Sequence, residues 1–180
     1  MTGVHWAAWA IGAGYVAGFL ALTLLASRRA GRSLWLFDRP GQSGPAWGFR
    51  LAFAALVLWP LAGPGWSSAA LWLLPVALGA GFALFSQAYM GRSWRIGTAE
   101  GELGALVDGG PFRLSRNPTF VGQILLAWGL VPLAGLPMLA GAVLMTVSAV
   151  LQVRSEERVL SLDPAWRDFA DRTPRWIGPI

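Results

Sequence analysis

Every arginine, aspartate and glutamate of this 180-residue chain falls in one of three segments, 27–50, 91–118 and 154–180. Between and before them run five apolar blocks, at about 4–26, 46–62, 68–89, 119–134 and 136–153. This partition limits the chain to few folds. With 55% hydrophobic residues, 13% charged and a mean hydropathy of +0.52, it is too apolar for a soluble domain, in which about a quarter of residues are charged. In hydrocarbon each backbone N–H and C=O must be satisfied within the protein, which helices do segment by segment. The pattern therefore predicts an all-α, polytopic membrane helix bundle of about five transmembrane helices.

The first block is preceded by no basic residue and closed by no small-residue cleavage site, so it reads as a first span rather than a signal peptide. The fourth and fifth blocks are short against the roughly 20 residues a span requires. Joined by Gly135-Leu136-Pro137, they predict a tilted helical hairpin. With the N-terminus outside, all three charged segments fall on one side, which the positive-inside rule makes cytoplasmic. Trp6, Trp9, Trp59, Trp66 and Trp72 are then expected at the outer interface, and Trp35, Trp47 and Trp94 at the inner one. Gly14 with Gly18, and Gly79 with Gly81, read as sites of close helix packing.

After Val153 the pattern stays helical: 154–160 should prolong the fifth helix into the cytoplasm. Asp163-Pro164 then reads as an N-cap followed by proline at N1, opening a short helix to about Arg172. The pairs Asp163–Arg167 and Asp168–Arg172 have the i,i+4 spacing that supports such a helix, and Pro174 stops it.

Composition removes several chemistries. There is no cysteine and no lysine, and His5 is the only histidine. Thiol nucleophiles, lysine Schiff bases, two-histidine metal sites and histidine-centred triads are excluded, and no metal is expected. The net charge of +5 does not indicate nucleic acid, because its carriers are spread over several loops without the aromatic-basic surface of single-strand binders.

Two segments stand out on the charged side. One is LVDGGPFRLSRNPTFVG, residues 106–122; the other is Arg154-Ser155-Glu156-Glu157. Asp108-Gly109-Gly110-Pro111 and Arg116-Asn117-Pro118 are two chain breaks close together, which fold the first segment over the mouth of the bundle. Alone, Gly-Gly-Pro fits a plain loop, and Arg113 and Arg116 fit positive-inside anchors. The glutamates are harder to explain that way. Neighbouring helical residues point about 100° apart, and acid near a helix C-terminus opposes the dipole. Arg154 and Arg158 flank the pair and would neutralise it. Charge kept beside hydrocarbon marks a functional site, and acids there suit an ammonium or sulfonium group.

The run Gly110-Pro111-Phe112-x-x-x-Arg116-Asn117-Pro118-x-Phe120-x-Gly122, followed by Glu156-Glu157-x-x-Leu160, resembles the isoprenylcysteine carboxyl methyltransferase and phospholipid methyltransferase superfamily. Those proteins carry G-P-(Y/F)-x-x-x-R-H-P-x-Y-x-G, then R-x-x-x-E-E or close variants, then a tail ending in Arg and Pro, which Phe169 and Pro174-Arg175 resemble. The match covers roughly the last 90 residues, and the first two helices match only as hydrophobic spans.

The resemblance implies a membrane methyltransferase using S-adenosylmethionine under the cytoplasmic loops, with a lipophilic acceptor entering from the bilayer. Gly110, Pro111, Phe112, Arg116, Asn117, Phe120, Glu156 and Glu157 would bind the cofactor. The glutamates suit its sulfonium and ammonium and Arg116 its carboxylate, while Phe112, Phe120 or Trp94 would form the adenine slot. Arg154 and Arg113 are candidates to orient an anionic acceptor, and Glu156 completes the catalytic set. The family's usual histidine is Asn117 here and its usual tyrosine is Phe120; asparagine does not act as a base near neutral pH.

The chain is expected to form one integral membrane domain over 1–180, with N-terminal spans in 1–90 and the cofactor-binding region in 91–180. Its expected setting is a bacterial cytoplasmic membrane. Expected partners are a lipophilic acceptor and membrane lipids, with no nucleic acid and no obligate protein partner. The acceptor is expected to be a small lipophilic molecule, a lipid headgroup or an isoprenylcysteine-like carboxylate. Competing readings are a sterol-reductase-like membrane reductase using NADPH, and a non-catalytic binding protein on the same fold.

Overall fold

A computed structural model describes residues 1–34, 43–94 and 105–178. Among these residues there are helices and no strands. The helices are α1 (Gly3–Ala30), α2 (Ser43–Leu58), α3 (Leu73–Met90), α4 (Pro118–Ala134), α5 (Leu136–Leu160) and α6 (Pro164–Arg172), joined in places by short 3-10 turns. The spans at Gly3–Ala30, Gly44–Ala62, Ala70–Met90 and Leu136–Leu160 are long and apolar enough to cross a membrane, and α4 is a shorter apolar helix. The fifth helix is thus a full span of 25 residues, because its apolar stretch and its polar extension to Leu160 are one continuous helix. Only α4 is short.

The bundle is apolar outside and partly polar inside. Leu20, Leu24, Leu51, Leu74, Leu78, Phe85, Val143, Val147 and Leu151 are exposed, a surface that suits lipid and not water. The buried residues of α1 (His5, Ala8, Gly12, Tyr15, Phe19 and Thr23) recur at helical spacing along one face. Polar groups in the interior tie helices together. Gln87 Nε2 on α3 donates to Phe19 O and to Thr23 Oγ1 on α1, each at 3.0 Å. Trp9 Nε1 donates to Val57 O at 2.9 Å, and Trp128 Nε1 to Thr146 Oγ1 at 3.0 Å.

α3 packs most extensively on α4, and α2 on α5. The α3–α4 contact depends on missing side chains: a Cβ on Gly79 would meet Leu126 N at 2.4 Å, and one on Gly122 would meet Ala83 N at 2.6 Å. Gly14 and Gly81, expected to thin their helices for packing, face open space; Gly18 does touch Leu84. At the far end, the 60–67 linker clasps the α4–α5 turn. Pro137 has no N–H to offer the Leu133 carbonyl four residues back, and Gly65 N donates to it at 2.7 Å instead.

The tryptophans divide. Trp6, Trp47 and Trp66 are exposed and Trp9 and Trp72 half-buried, whereas Trp59 and Trp94 are buried in the core. Trp94 is held there by its Nε1 donating to Thr23 Oγ1 at 3.1 Å. Those two are packing residues, not interface anchors. Trp35 lies outside the described residues.

α6 forms as expected: the Asp163 carboxylate accepts from Ala165 N at 2.9 Å, with Pro164 at the first helical position. The i,i+4 ion pairs do not carry it. Arg167 donates instead to Ser161 O at 2.9 Å, and Arg172 reaches Asp108 on the 106–122 loop at 2.8 Å. Both members of that last pair are well exposed, so it adds little stability. The buried cluster of Trp166 and Phe169 with Phe112 docks α6 on the loop.

Candidate functional site

The two unusual segments meet through the C-terminal tail. Arg116 N donates to Pro174 O at 2.9 Å, and Ser115 Oγ and Asn117 Nδ2 donate to Arg175 O at 3.0 and 3.1 Å. The Arg175 side chain then turns to Glu157 on α5, with Nη2 at 2.6 Å and Nε at 2.8 Å from Oε2. This bond raises the Arg175 pKa above its ordinary value, partial burial opposing it and the Glu157 charge adding to it. Loop, tail and α5 are locked around one carboxylate.

On the other side of that carboxylate, Arg116 Nε stands 3.6 Å from Glu157 Oε1. That separation is too long for a hydrogen bond, and both atoms are buried without a hydrogen-bond partner. Arg116 also lies over the Trp166 ring, 5.4 Å from its centroid. Glu157 is therefore neutralised by Arg116 and Arg175, not by Arg154 and Arg158. The reason is helical rotation: Arg154 and Arg158 are exposed on α5, while Gln152 and Val153 face the core. Glu156 accepts from Gln152 Nε2 at 2.8 Å.

A cavity of about 180 Å³ opens beside this cluster. At this end Arg116, Asn117, Glu156, Glu157 and Asp163 line it, with Phe112, Leu160, Trp166 and Phe169. The same cavity runs among Phe19, Phe49, Phe53, Met90, Trp94 and Phe120 from the spans and their ends. Phe49 stacks on Phe120 at 5.5 Å, and Phe19 meets Phe53 and Trp94 edge to face at 5.1 and 5.7 Å. Among the described residues, four of the lining carry a buried atom without a hydrogen-bond partner: Arg116 Nε, Glu157 Oε1, Thr119 Oγ1 and Gln123 Oε1. Each such atom costs about 1–3 kcal/mol until something pairs with it. A polar ligand recovers that cost.

Of the residues singled out from sequence, Phe112, Arg116, Asn117, Phe120, Glu156, Glu157 and Trp94 line the cavity. Gly110, Pro111, Arg113 and Arg154 do not. Arg113 and Arg154 are exposed, which takes them away from any acceptor in the cavity. The glycine pair serves packing: Gly110 has φ +55°, and a Cβ there would meet the Tyr89 ring at 2.6 Å, while one on Gly109 would meet the Tyr89 hydroxyl at 2.8 Å. The 3-10 turn Gly110–Arg113 sits on Tyr89 and thereby presents Phe112. Sequence reading missed Phe19, Phe49, Arg50, Phe53, Thr119, Gln123 and Trp166 in the lining. Thr119 and Gln123 did leave a signal, being polar residues one turn apart in an apolar helix.

A family model described as phospholipid methyltransferase matches residues 67–162, more than half of the chain, from the linker before α3 to the end of α5. Comparison with curated proteins and with solved structures gave no match. Four long apolar helices and the matched stretch agree on one identity: the chain is an integral membrane protein that belongs to the phospholipid methyltransferase family, within the superfamily of isoprenylcysteine carboxyl and phospholipid methyltransferases.

Proposed function

We propose that the protein transfers a methyl group from S-adenosylmethionine to a lipophilic acceptor that enters from the bilayer. One observation carries the reading: a single cavity joins the Arg116–Glu157 cluster to an aromatic chamber among the spans. The residues fit the cofactor's amino-acid end. Arg116 Nε is an unpaired donor for a carboxylate and Glu157 Oε1 an unpaired acceptor for an ammonium, set 3.6 Å apart. A zwitterion satisfies both. Phe112, Trp166 and Phe169 supply an apolar face for a purine, and Glu156 adds negative charge for the sulfonium. Gly110 and Pro111 act on the cofactor only through the turn that positions Phe112.

S-adenosylmethionine, when bound, supplies a methyl carbon already activated by its sulfonium. What remains for the protein is alignment and exclusion of water, so the lack of cysteine, lysine and a second histidine is no obstacle. Asn117, where the superfamily has histidine, spends its Nδ2 on the Arg175 carbonyl and holds the tail in place. The acceptor is a small lipophilic molecule, a lipid headgroup or an isoprenylcysteine-like carboxylate. Arg154 and Arg113 drop out as groups that orient it, and Arg50 is the cationic residue of the lining among the spans. The site faces the cytoplasm of a bacterial membrane in this reading.

Thermal-shift measurements on detergent-purified protein test it. Stabilisation by S-adenosylmethionine or S-adenosylhomocysteine, and none by NADPH, is the expected result. Stabilisation by NADPH alone makes the protein a reductase. Response to none of the three makes it a non-catalytic relative.

A further inference from the structure

Thr119 and Gln123 are 93% and 98% buried, taking their exposures of 7% and 2%. They lie on one face of α4, four residues apart, and both line the cavity. The Gln123 amide is anchored by Nε2 donating to Tyr15 Oη at 2.6 Å. Its Oε1 and the Thr119 hydroxyl have no hydrogen-bond partner. Gln87 and Gln152 also leave an amide oxygen unpaired, but neither lines the cavity. The same lining carries Phe19, Phe49, Phe53 and Phe120, and Tyr15, which holds Gln123, meets Phe19 and Phe53 with ring centroids 6.1 and 5.9 Å apart. Phe19, Phe49 and Phe53 come from α1 and α2, outside the stretch that matches the family.

We infer that Thr119 and Gln123 form a positioning subsite for the acceptor, and that the group held there is a neutral hydroxyl on an apolar body, with no bond made or broken at it. The reading rests on the methyltransferase assignment of the same cavity. The chemistry of the two side chains selects that group. An amide oxygen only accepts, and a threonine hydroxyl both accepts and donates. A hydroxyl gives its proton to Gln123 Oε1 and takes one from Thr119 Oγ1, satisfying both. A carboxylate meets repulsion from Gln123 Oε1. An ammonium needs a carboxylate when taken out of water. The acids of the lining serve other groups: Glu156 and Glu157 are assigned to the cofactor's cationic end, and Asp163 caps the first turn of α6. Arg50, the lining cation on α2, stacks over Trp47 at 5.0 Å.

The test compares 1-decanol, decylamine and decanoate below their aggregation limits. Binding to the full-length protein in nanodiscs is read from tryptophan fluorescence and from adduct masses in native mass spectrometry. Decanol is expected to bind at least about ten-fold tighter than decanoate or decylamine, since a site built around a hydroxyl rejects analogues that leave its groups unpaired. Gln123→Leu and Thr119→Val are each expected to remove most of that preference. Gln123→Glu, which keeps the side chain's shape, is expected to shift the preference to decylamine. Equal binding of the three probes, preference for either charged probe, or a preference unchanged in all three variants overturns the inference. S-adenosylhomocysteine binding is measured on every variant. Loss of it in a substituted protein reports misfolding, and Gln123→Glu then decides. Its absence from the wild type, with decanol selectivity intact, overturns the cofactor reading and leaves the hydroxyl subsite standing.

Discussion

At the residue scale the site turns on Glu157. One carboxylate oxygen is fixed by Arg175, and the other faces Arg116 without a hydrogen bond. Replacing it with glutamine keeps the volume and removes the charge. Glu157→Gln is expected to weaken S-adenosylhomocysteine binding at least ten-fold, while helicity by circular dichroism stays at the wild-type level. The substitution also weakens the tie to the tail through Arg175 and leaves the largely buried Arg116 without its counter-charge, so a lower thermal midpoint is expected alongside. Arg175→Ala separates the two effects: it frees the tail but leaves the Glu157 charge, and cofactor affinity should fall less than in Glu157→Gln. Equal losses of affinity in the two variants make Glu157 a clamp for the tail rather than a ligand group. The sequence singled out both Glu157 and Arg116, because charge at a hydrocarbon boundary is conspicuous, but did not pair them. It misassigned the counter-ions, because Arg175 lies 18 positions further on, beyond a turn and a helix whose path no local rule gives.

At the scale of elements, α3 and α4 approach closely enough that glycine is required on both. A Cβ at Gly122 would collide with the Ala83 backbone, and the Gly79 carbonyl lies 2.7 Å away. Backbone does not yield as a side chain does. Gly122→Ala is expected to destabilise the protein by about 1–3 kcal/mol through overpacking, seen as a lower midpoint in thermal denaturation in detergent. Gly81→Ala is the control. Its Cβ meets nothing within 4 Å, and alanine's better helix propensity should leave the midpoint unchanged or raise it slightly. A similar drop in both variants contradicts the packing account. Sequence placed all five apolar helices and the Asp163-capped α6, since periodicity, proline and capping are local. It did not tell Gly79 from Gly81 or Gly18 from Gly14. Which of two nearby small residues faces a neighbour depends on rotation about the helix axis, set by the whole bundle.

At the scale of the whole molecule, span number and orientation are linked. If α4 crosses with the four longer helices, the N-terminus and α6 lie on opposite sides of the membrane. If it does not, they share one. The chain has no cysteine, so single introduced thiols report directly. Gly3→Cys, an exposed site with open space around it, is expected to react with a membrane-impermeant maleimide on intact cells. Arg167→Cys on α6, also exposed, should react only after permeabilisation. Labelling of both from the same side removes α4 from the count of spans.

The sequence by itself determined the all-α membrane bundle, the confinement of its charge to three segments between apolar blocks, and the two segments that build the charged end of the cavity. Those properties follow from residue type and short spacing, through the cost of exposing backbone and charge to hydrocarbon. Only the tertiary structure decided that the cavity continues into the spans, that Arg113 and Arg154 stay outside it, and that Gln123 meets Tyr15. That last hydrogen bond joins residues 108 positions apart. Its existence depends on how α1 is turned against α4, and in an apolar helix every face looks alike until its neighbours are in place.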